Sequence, residues 1–156
     1  LPWGFTSKIK TIDTLEGALE EAFAPMSVSM TLEDNIDISR GDMIVKDGDL
    51  PAIDKQFTAN ICWMDATQLT TSGKYIVQHG INKVLAKVDK IHYKINPDYS
   101  GIETDVTGLN VNDIAQVTFK LNKPIFYDQF KNHRTNGSFI LIDTQSNNTV
   151  GAGFIQ

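Results

Sequence analysis

Cysteine is nearly missing from this chain: Cys62 stands alone, so no internal disulfide can form. That absence favours a reducing compartment. Long apolar runs are missing as well. None approaches the roughly 20 residues that a membrane-spanning helix requires, which excludes such a helix. Positive charge is scarce: 14 Lys and Arg face 19 Asp and Glu, for a net charge of -5 and a pI near 5.0. Proteins whose main work is gripping phosphate backbones draw that affinity from clustered cations, so nucleic acid is not an expected partner. The three histidines, His79, His92 and His133, show no His-x-x-x-His or His-Glu-x-x-His spacing. They therefore read as surface or turn residues rather than zinc ligands. No nucleophile, base and orienting acid stand out together. Nor is there a charged-then-apolar leader or an initiator Met, and Leu1 is expected to be an internal residue of a longer chain. The sequence assigns no catalytic, cofactor-binding or metal-ligating residue.

What is present is alternation. At 156 residues the chain can bury a core without covalent staples. In "MSVSMTLE" the residues Met26, Val28, Met30 and Leu32 share one parity, with Ser27, Ser29, Thr31 and Glu33 on the other. This is the period of a half-buried strand. "FTANICWM" repeats it with Phe57, Ala59, Ile61 and Trp63 inward, Cys62 lying on the outer face, and "AQVTFKL" with Ala115, Val117, Phe119 and Leu121 inward. In "KVLAKVDKIHYKI" the phase changes: Val84, Ala86 and Val88 hold one parity, then Ile91, Tyr93 and Ile95 the other. A slip near Asp89 and Lys90 implies a β-bulge, the device by which small barrels turn their corners. "GSFILID" and "TVGAGFI" read as a closing hairpin across Thr144 to Asn148. A single helical turn is expected around Asn35 to Ser39, and a strand start at Met43 to Val45. The predicted class is all-β, with a junction in "KDGDLPAI", Lys46 to Leu50 before Pro51.

Several stretches imitate chemistry. Gly151 and Gly153 spell a Gly-x-Gly, but phosphate cradles lead into a helix and only Phe154, Ile155 and Gln156 follow. On a strand, Val150, Ala152 and Phe154 are expected to face the core and the glycines to lie opposite, permitting close backbone approach. Asp105 to Gly108 carries an Asp-x-x-Gly spacing, yet the Gly-x-x-x-x-Gly-Lys-Ser/Thr loop is absent, and neither Asn82-Lys83 nor Asn122-Lys123 reaches an Asn-Lys-x-Asp. GTP is not bound by that machinery in these residues. Lys131, His133 and Arg134 gather in one loop, Asp128 to Asn136, a solvated tip that could meet an anionic partner.

The stretch "EEAFAPMSVSMTLEDNIDISRGDMIV" resembles the second domain of the sulfate adenylyltransferase subunit 1 family, the GTP-binding large subunit of bacterial ATP sulfurylase. "LPWGFTSKIKTIDT" is similar to the segment before it. "ANICWM", "KVDKIHYKI", "LNVNDIAQVTFKLNKPIFYDQF" and "SFILIDTQSNNTVGAGFI" are similar, in order, to that family's third domain. The broader resemblance is to translational GTPases such as elongation factor Tu, whose Thr-Val-Gly-Ala-Gly lies on the last third-domain strand, where Thr149 to Gly153 stand here.

The resemblance implies two β-barrel modules, residues 1–46 as the end of an incomplete second-domain barrel and 47–156 as a full six-stranded third-domain barrel. The GTP-binding domain would lie upstream of Leu1. It further implies a bacterial cytoplasmic parent that couples GTP hydrolysis to formation of adenylyl sulfate and pyrophosphate from ATP and sulfate. GTP, ATP and Mg belong to that parent, with no cofactor held by this stretch. The partner implied is the catalytic sulfate adenylyltransferase subunit 2, and open strand edges in the first module could pair with a second copy. Alternatives read from the barrels alone are the tRNA-binding domains of a translation factor and a free-standing barrel for a small molecule.

Overall fold

The computed structural model describes residues 1–98 and 100–156. These divide into two compact units, Leu1–Leu50 and Pro51–Gln156.

The first unit is a three-stranded antiparallel sheet of β1 (Ile9–Thr14), β2 (Gly17–Leu19) and β3 (Ser29–Leu32), ordered β2-β1-β3. The alternation from Met26 to Glu33 is realised only in part. Pairing with β1 ends at Asp13 and Ser29. Residues before Ser29 have no ladder partner in that pairing, and Met26 and Val28 are exposed. The expected turn of helix is not there: Asn35 to Ser39 is irregular. Five residues containing Asn and Asp offer side-chain alternatives to the helical bond and cannot repay nucleation. Nor do Met43 to Val45 form a strand. Met43 exchanges one pair of backbone bonds with Leu1, at 2.8 and 3.2 Å, and the ladder goes no further. No described residue of this unit is fully buried.

The second unit holds β4 (Ala52–Trp63), β5 (Leu69–Thr70), β6 (Lys74–His79), β7 (Asn82–Ile95), β8 (Ile102–Glu103), β9 (Gly108–Leu109), β10 (Ile114–Tyr127), β11 (Ser138–Asp143) and β12 (Thr149–Ile155). Six of these strands run β10-β4-β12-β11-β6-β7, and pairing of β10 with β7 closes the ring. All the pairings are antiparallel. The result is a closed six-stranded barrel with a long β10 shared between β4 and β7, so that no ring strand keeps an open edge along its paired length.

Inside the barrel the strong alternations hold. Phe57, Ala59, Ile61 and Trp63 from β4 and Ala115, Val117, Phe119 and Leu121 from β10 are buried with Val84, Ala86, Val88 and Ile91 from β7. Phe57, Phe119 and Phe139 pack as three rings with centroids 5.1–5.8 Å apart, two of the contacts edge-to-face. That geometry suits the aromatic quadrupole.

Strand β7 slips twice, not once. Against β10 the register passes from Val88 to Lys90, omitting Asp89, and again from Ile91 to Tyr93, omitting His92. The first bulge moves Ile91 inward as the phase change implies. The second restores the earlier parity, so Tyr93 and Ile95 are only half-buried.

The closing strand also corrects the sequence reading. Gly151, Gly153 and Ile155 are buried, whereas Phe154 is 45% exposed. A bulge against β11 omits Val150, with Leu141 opposite Gly151 and Ile142 opposite Thr149. The extra residue keeps Val150 inside and reverses the parity of everything after it. The glycines therefore face the core.

Candidate functional site

The glycines of the motifs that imitate chemistry have packing roles. A Cβ on Gly153 would collide with the Phe139 ring and come within 2.9 Å of Ile61 Cγ2; one on Gly151 would lie 3.1 Å from the Cys62 carbonyl oxygen. These glycines make room for aromatic rings and for the β4 backbone, with no phosphate cradle. In the Asp105 to Gly108 turn, Asp105 takes a positive φ of 60° and Val106 packs against the core. A Cβ on Gly108 would sit 2.7 Å from the Leu69 carbonyl, so glycine is needed where β9 meets β5. Asn82 lies at the β6–β7 hairpin, opposite His79, and Asn122-Lys123 falls within the irregular stretch of β10 between Lys120 and Ile125.

The histidines separate. His79, expected on the surface or at a turn, directly precedes the turn at Gly80 but is only 5% exposed, and donates from Nε2 to the Asn136 carbonyl at 2.8 Å. The turn at Gly80, φ 56°, swings β6 back on β7 and leaves His79 on the barrel's inner parity, where its ring needs that partner. His92, a bulge residue, meets the buried Thr118 hydroxyl at 2.7 Å, and Thr118 meets Thr58 at 2.8 Å. This polar row crosses β7, β10 and β4. On the next row Asn60 Oδ1 is buried without a hydrogen-bond partner, facing Gln116 and Phe154 on the flanking strands. Cys62 is half-buried on the outer face. Among the described residues no group of three or more His, Cys, Asp or Glu could hold a metal ion.

The loop from Asp128 to Asn136 is a solvated tip, and it is anchored at its base. The Asn136 carbonyl accepts from Asp128 N as well as from His79, its backbone N–H donates to His133 Nδ1 at 3.0 Å, and its side-chain amide donates to Asp128 Oδ2 at 2.8 Å. Phe130 packs against Phe154, the rings tilted at 42° with centroids 4.3 Å apart. Gly137 is required there, since a Cβ would strike the Phe130 backbone. Lys131, His133 and Arg134 remain exposed. Asn136, the clip of the whole loop, carried no sequence signal beyond its place before Gly137.

Displaced titrations are also structural. Burial raises Tyr75 and Tyr127, Tyr75 standing edge-on to Trp63 at 5.5 Å. A hydrogen bond to Glu103, then the charge of Asp113, raises Lys94. Asp143 is lowered chiefly by the backbone N–H of Ser146, at 2.7 Å. None converges on a concave site.

In the first unit a cleft of about 540 Å³ is lined mainly by apolar side chains, among them Trp3, Phe5, Ile9, Met30, Ile44 and Leu50. Several of these stand more than half exposed.

The barrel is closed, its Gly151 and Gly153 turned into the core. Residues 56–156 match the family described as GTP-eEF1A C-terminal domain-like. The chain belongs to that family. Over its length it is similar to sulfate adenylyltransferase subunit 1 of Bacteroides fragilis (strain YCH46), 40% identical over 156 residues, covering 99% of this chain and 32% of that protein. Sulfate adenylyltransferase subunit 1 of Alteromonas mediterranea is 41% identical over 155 residues, covering 99% and 33%. The bifunctional enzyme CysN/CysC of Mycobacterium tuberculosis (strain ATCC 25618 / H37Rv) is 37% identical over 156 residues, covering 99% and 25%. The chain thus spans about a third or less of the curated relatives it matches. A crystal structure of sup35 complexed with GDP superposes with a TM-score of 0.80 at 14% identity, covering 99% of this chain and 38% of that one, which shows a shared fold. Among the described residues no helix is long and apolar enough to cross a membrane.

Proposed function

We propose that this chain serves as a non-catalytic β-barrel portion of a sulfate adenylyltransferase subunit 1, in a bacterial cytoplasm. The observation that carries this is the 40% identity to the Bacteroides fragilis subunit over 99% of the chain. In the parent, GTP hydrolysis is coupled to formation of adenylyl sulfate and pyrophosphate from ATP and sulfate. GTP, ATP and Mg belong to residues outside this chain. Its own role is mechanical: packed barrels move as bodies when a GTPase domain switches, and they present surface to the catalytic subunit 2. The packing roles of Gly108, Gly151 and Gly153 support this division of labour.

The test is a pair of assays on the purified chain. It should neither hydrolyse GTP nor form adenylyl sulfate, and it should bind purified subunit 2 with saturation in a calorimetric titration. GTP turnover by the chain, or no heat with subunit 2, would reject the reading.

A second reading concerns self-association. In the first unit β2 and β3 are each paired on one side only within the sheet, which leaves a template for another copy. Sedimentation velocity should then show dimers growing with concentration. A monomer at every concentration would dismiss it.

A further inference from the structure

The outer face of β6, β7 and β10 carries a row of lysines in direct register. Lys74 pairs with Lys87, and Lys87 pairs with Lys120. All three are exposed. Directly opposed like charges destabilise a sheet, so the arrangement gains nothing for the fold. Lysines often guard open edges against pairing, but each of these strands has a neighbour on both sides in the ring, and only Lys74 lies one residue past the end of its β11 pairing at Tyr75. Asp89, in the bulge, takes Lys120 at 2.8 Å. Among the described residues neither Lys74 nor Lys87 has a salt-bridge partner.

Beside this row lies an apolar pair. Ile76 stands opposite Leu85, and Leu85 is 51% exposed. One step further along the same face, Lys83 stands opposite Gln78. Aliphatic surface is thus framed by cations on two sides.

The chemistry of that frame selects its partner. Its cations are all lysines, point charges without the planar fork that reads phosphate. No aromatic ring stands on it for bases to stack on. An apolar centre rimmed by charge is instead the anatomy of a protein interface. We infer that the Lys74–Lys87–Lys120 face, centred on Leu85 and Ile76, docks the catalytic subunit through an acidic surface surrounding an apolar residue. The inference rests on the function proposed above and names the surface that would carry it.

The experiment titrates the intact chain into purified sulfate adenylyltransferase subunit 2 at 50 and 300 mM NaCl. The variants are K74E/K87E, Leu85→Ser and, as a control in the anchored loop, K131E/R134E. Both face variants should weaken binding at least tenfold, with the control within twofold. The salt sensitivity of the parent chain should largely vanish in K74E/K87E. Circular dichroism should show the face variants folded, with K74E/K87E no less stable than the parent because the change at position 87 turns its pairing with Lys120 into one of opposite charges, while positions 74 and 87 stay like-charged. If the parent chain binds and the face variants bind equally well, the surface is misassigned while the functional reading stands. If the parent chain does not bind, both fall. Salt-dependent retention of tRNA on filters, lost in K74E/K87E, would assign the face to nucleic acid and overturn the protein partner.

Discussion

The two units are built on opposite economies. Leu1–Leu50 carries 4 Lys and Arg against 10 Asp and Glu, three short strands and no fully buried described residue. Pro51–Gln156 carries 10 against 9, and all the fully buried large side chains of the described residues belong to it. The difference is one of closure. A ring of six strands encloses its inward parity completely, whereas three strands leave theirs lining an open cleft. Charge follows the same division: the acidic unit accounts for the chain's negative balance and the barrel is nearly neutral.

Removal of one phenyl ring from each unit should separate the two most widely. Phe119→Ala empties a fully buried site between Phe57 and Phe139 and should cost about 3–5 kcal/mol. Phe5→Ala, at a position 67% exposed, should change stability by about 0.5 kcal/mol or less. Equal effects in chemical denaturation would refute the contrast.

Next in size is Gly153→Ala, which crowds Phe139 and Ile61 and should cost about 1–3 kcal/mol. Gly48→Ala in the first unit, where nothing lies within 4 Å of the new Cβ, meets no crowding and tests only the strain of its φ of 83°. A Gly153→Ala protein as stable as its parent would return that glycine to the outer face.

Smaller again, Thr118→Val breaks the row that joins β7, β10 and β4 and should cost about 1 kcal/mol for each of its two hydrogen bonds. Thermal melts of Thr118→Val and Thr118→Ser would separate lost hydroxyl from lost methyl. Recovery by serine is the expected result.

Smallest is an acid effect at the β11–β12 hairpin. The Asp143 carboxyl is held below its usual value by the Ser146 backbone N–H and then its hydroxyl. A depressed folded-state value contributes stability above the unfolded value, near pH 4, and that stability is lost as pH falls through the folded value. Asp143→Asn should therefore lower stability at pH 7 and flatten its decline below about pH 4. An unchanged acid limb would mean that the carboxylate contributes nothing.

The barrel was legible where period and length agreed. Phe57 to Trp63 and Ala115 to Leu121 alternate long enough that their faces admit one reading, and the structure buries those faces. What alternation cannot report is a residue that drops out of register. The slip at Asp89 left a parity change among apolar residues, but the one at His92 restored the old phase and was silent. The bulge at Val150 reversed Gly151 and Gly153, which carry no side chain to signal a face. In the first unit the pattern from Met26 promised more strand than β1 could pair. The lysine row was visible only as scattered outward positions, because cross-strand register is a property of the closed ring and not of any one segment.

Hydrogen exchange of the intact chain, resolved by residue in NMR, reads the stability of the closed barrel and of the open sheet separately. Amides in the paired stretches of β4, β10 and β12 should exchange only through global unfolding, with one shared free energy and one denaturant dependence, while those of β1 and β3 exchange through local openings well below it. If β1 and β3 were protected as strongly as the barrel strands, the first unit would have a stability of its own, and the division between a closed barrel and an open sheet would be wrong.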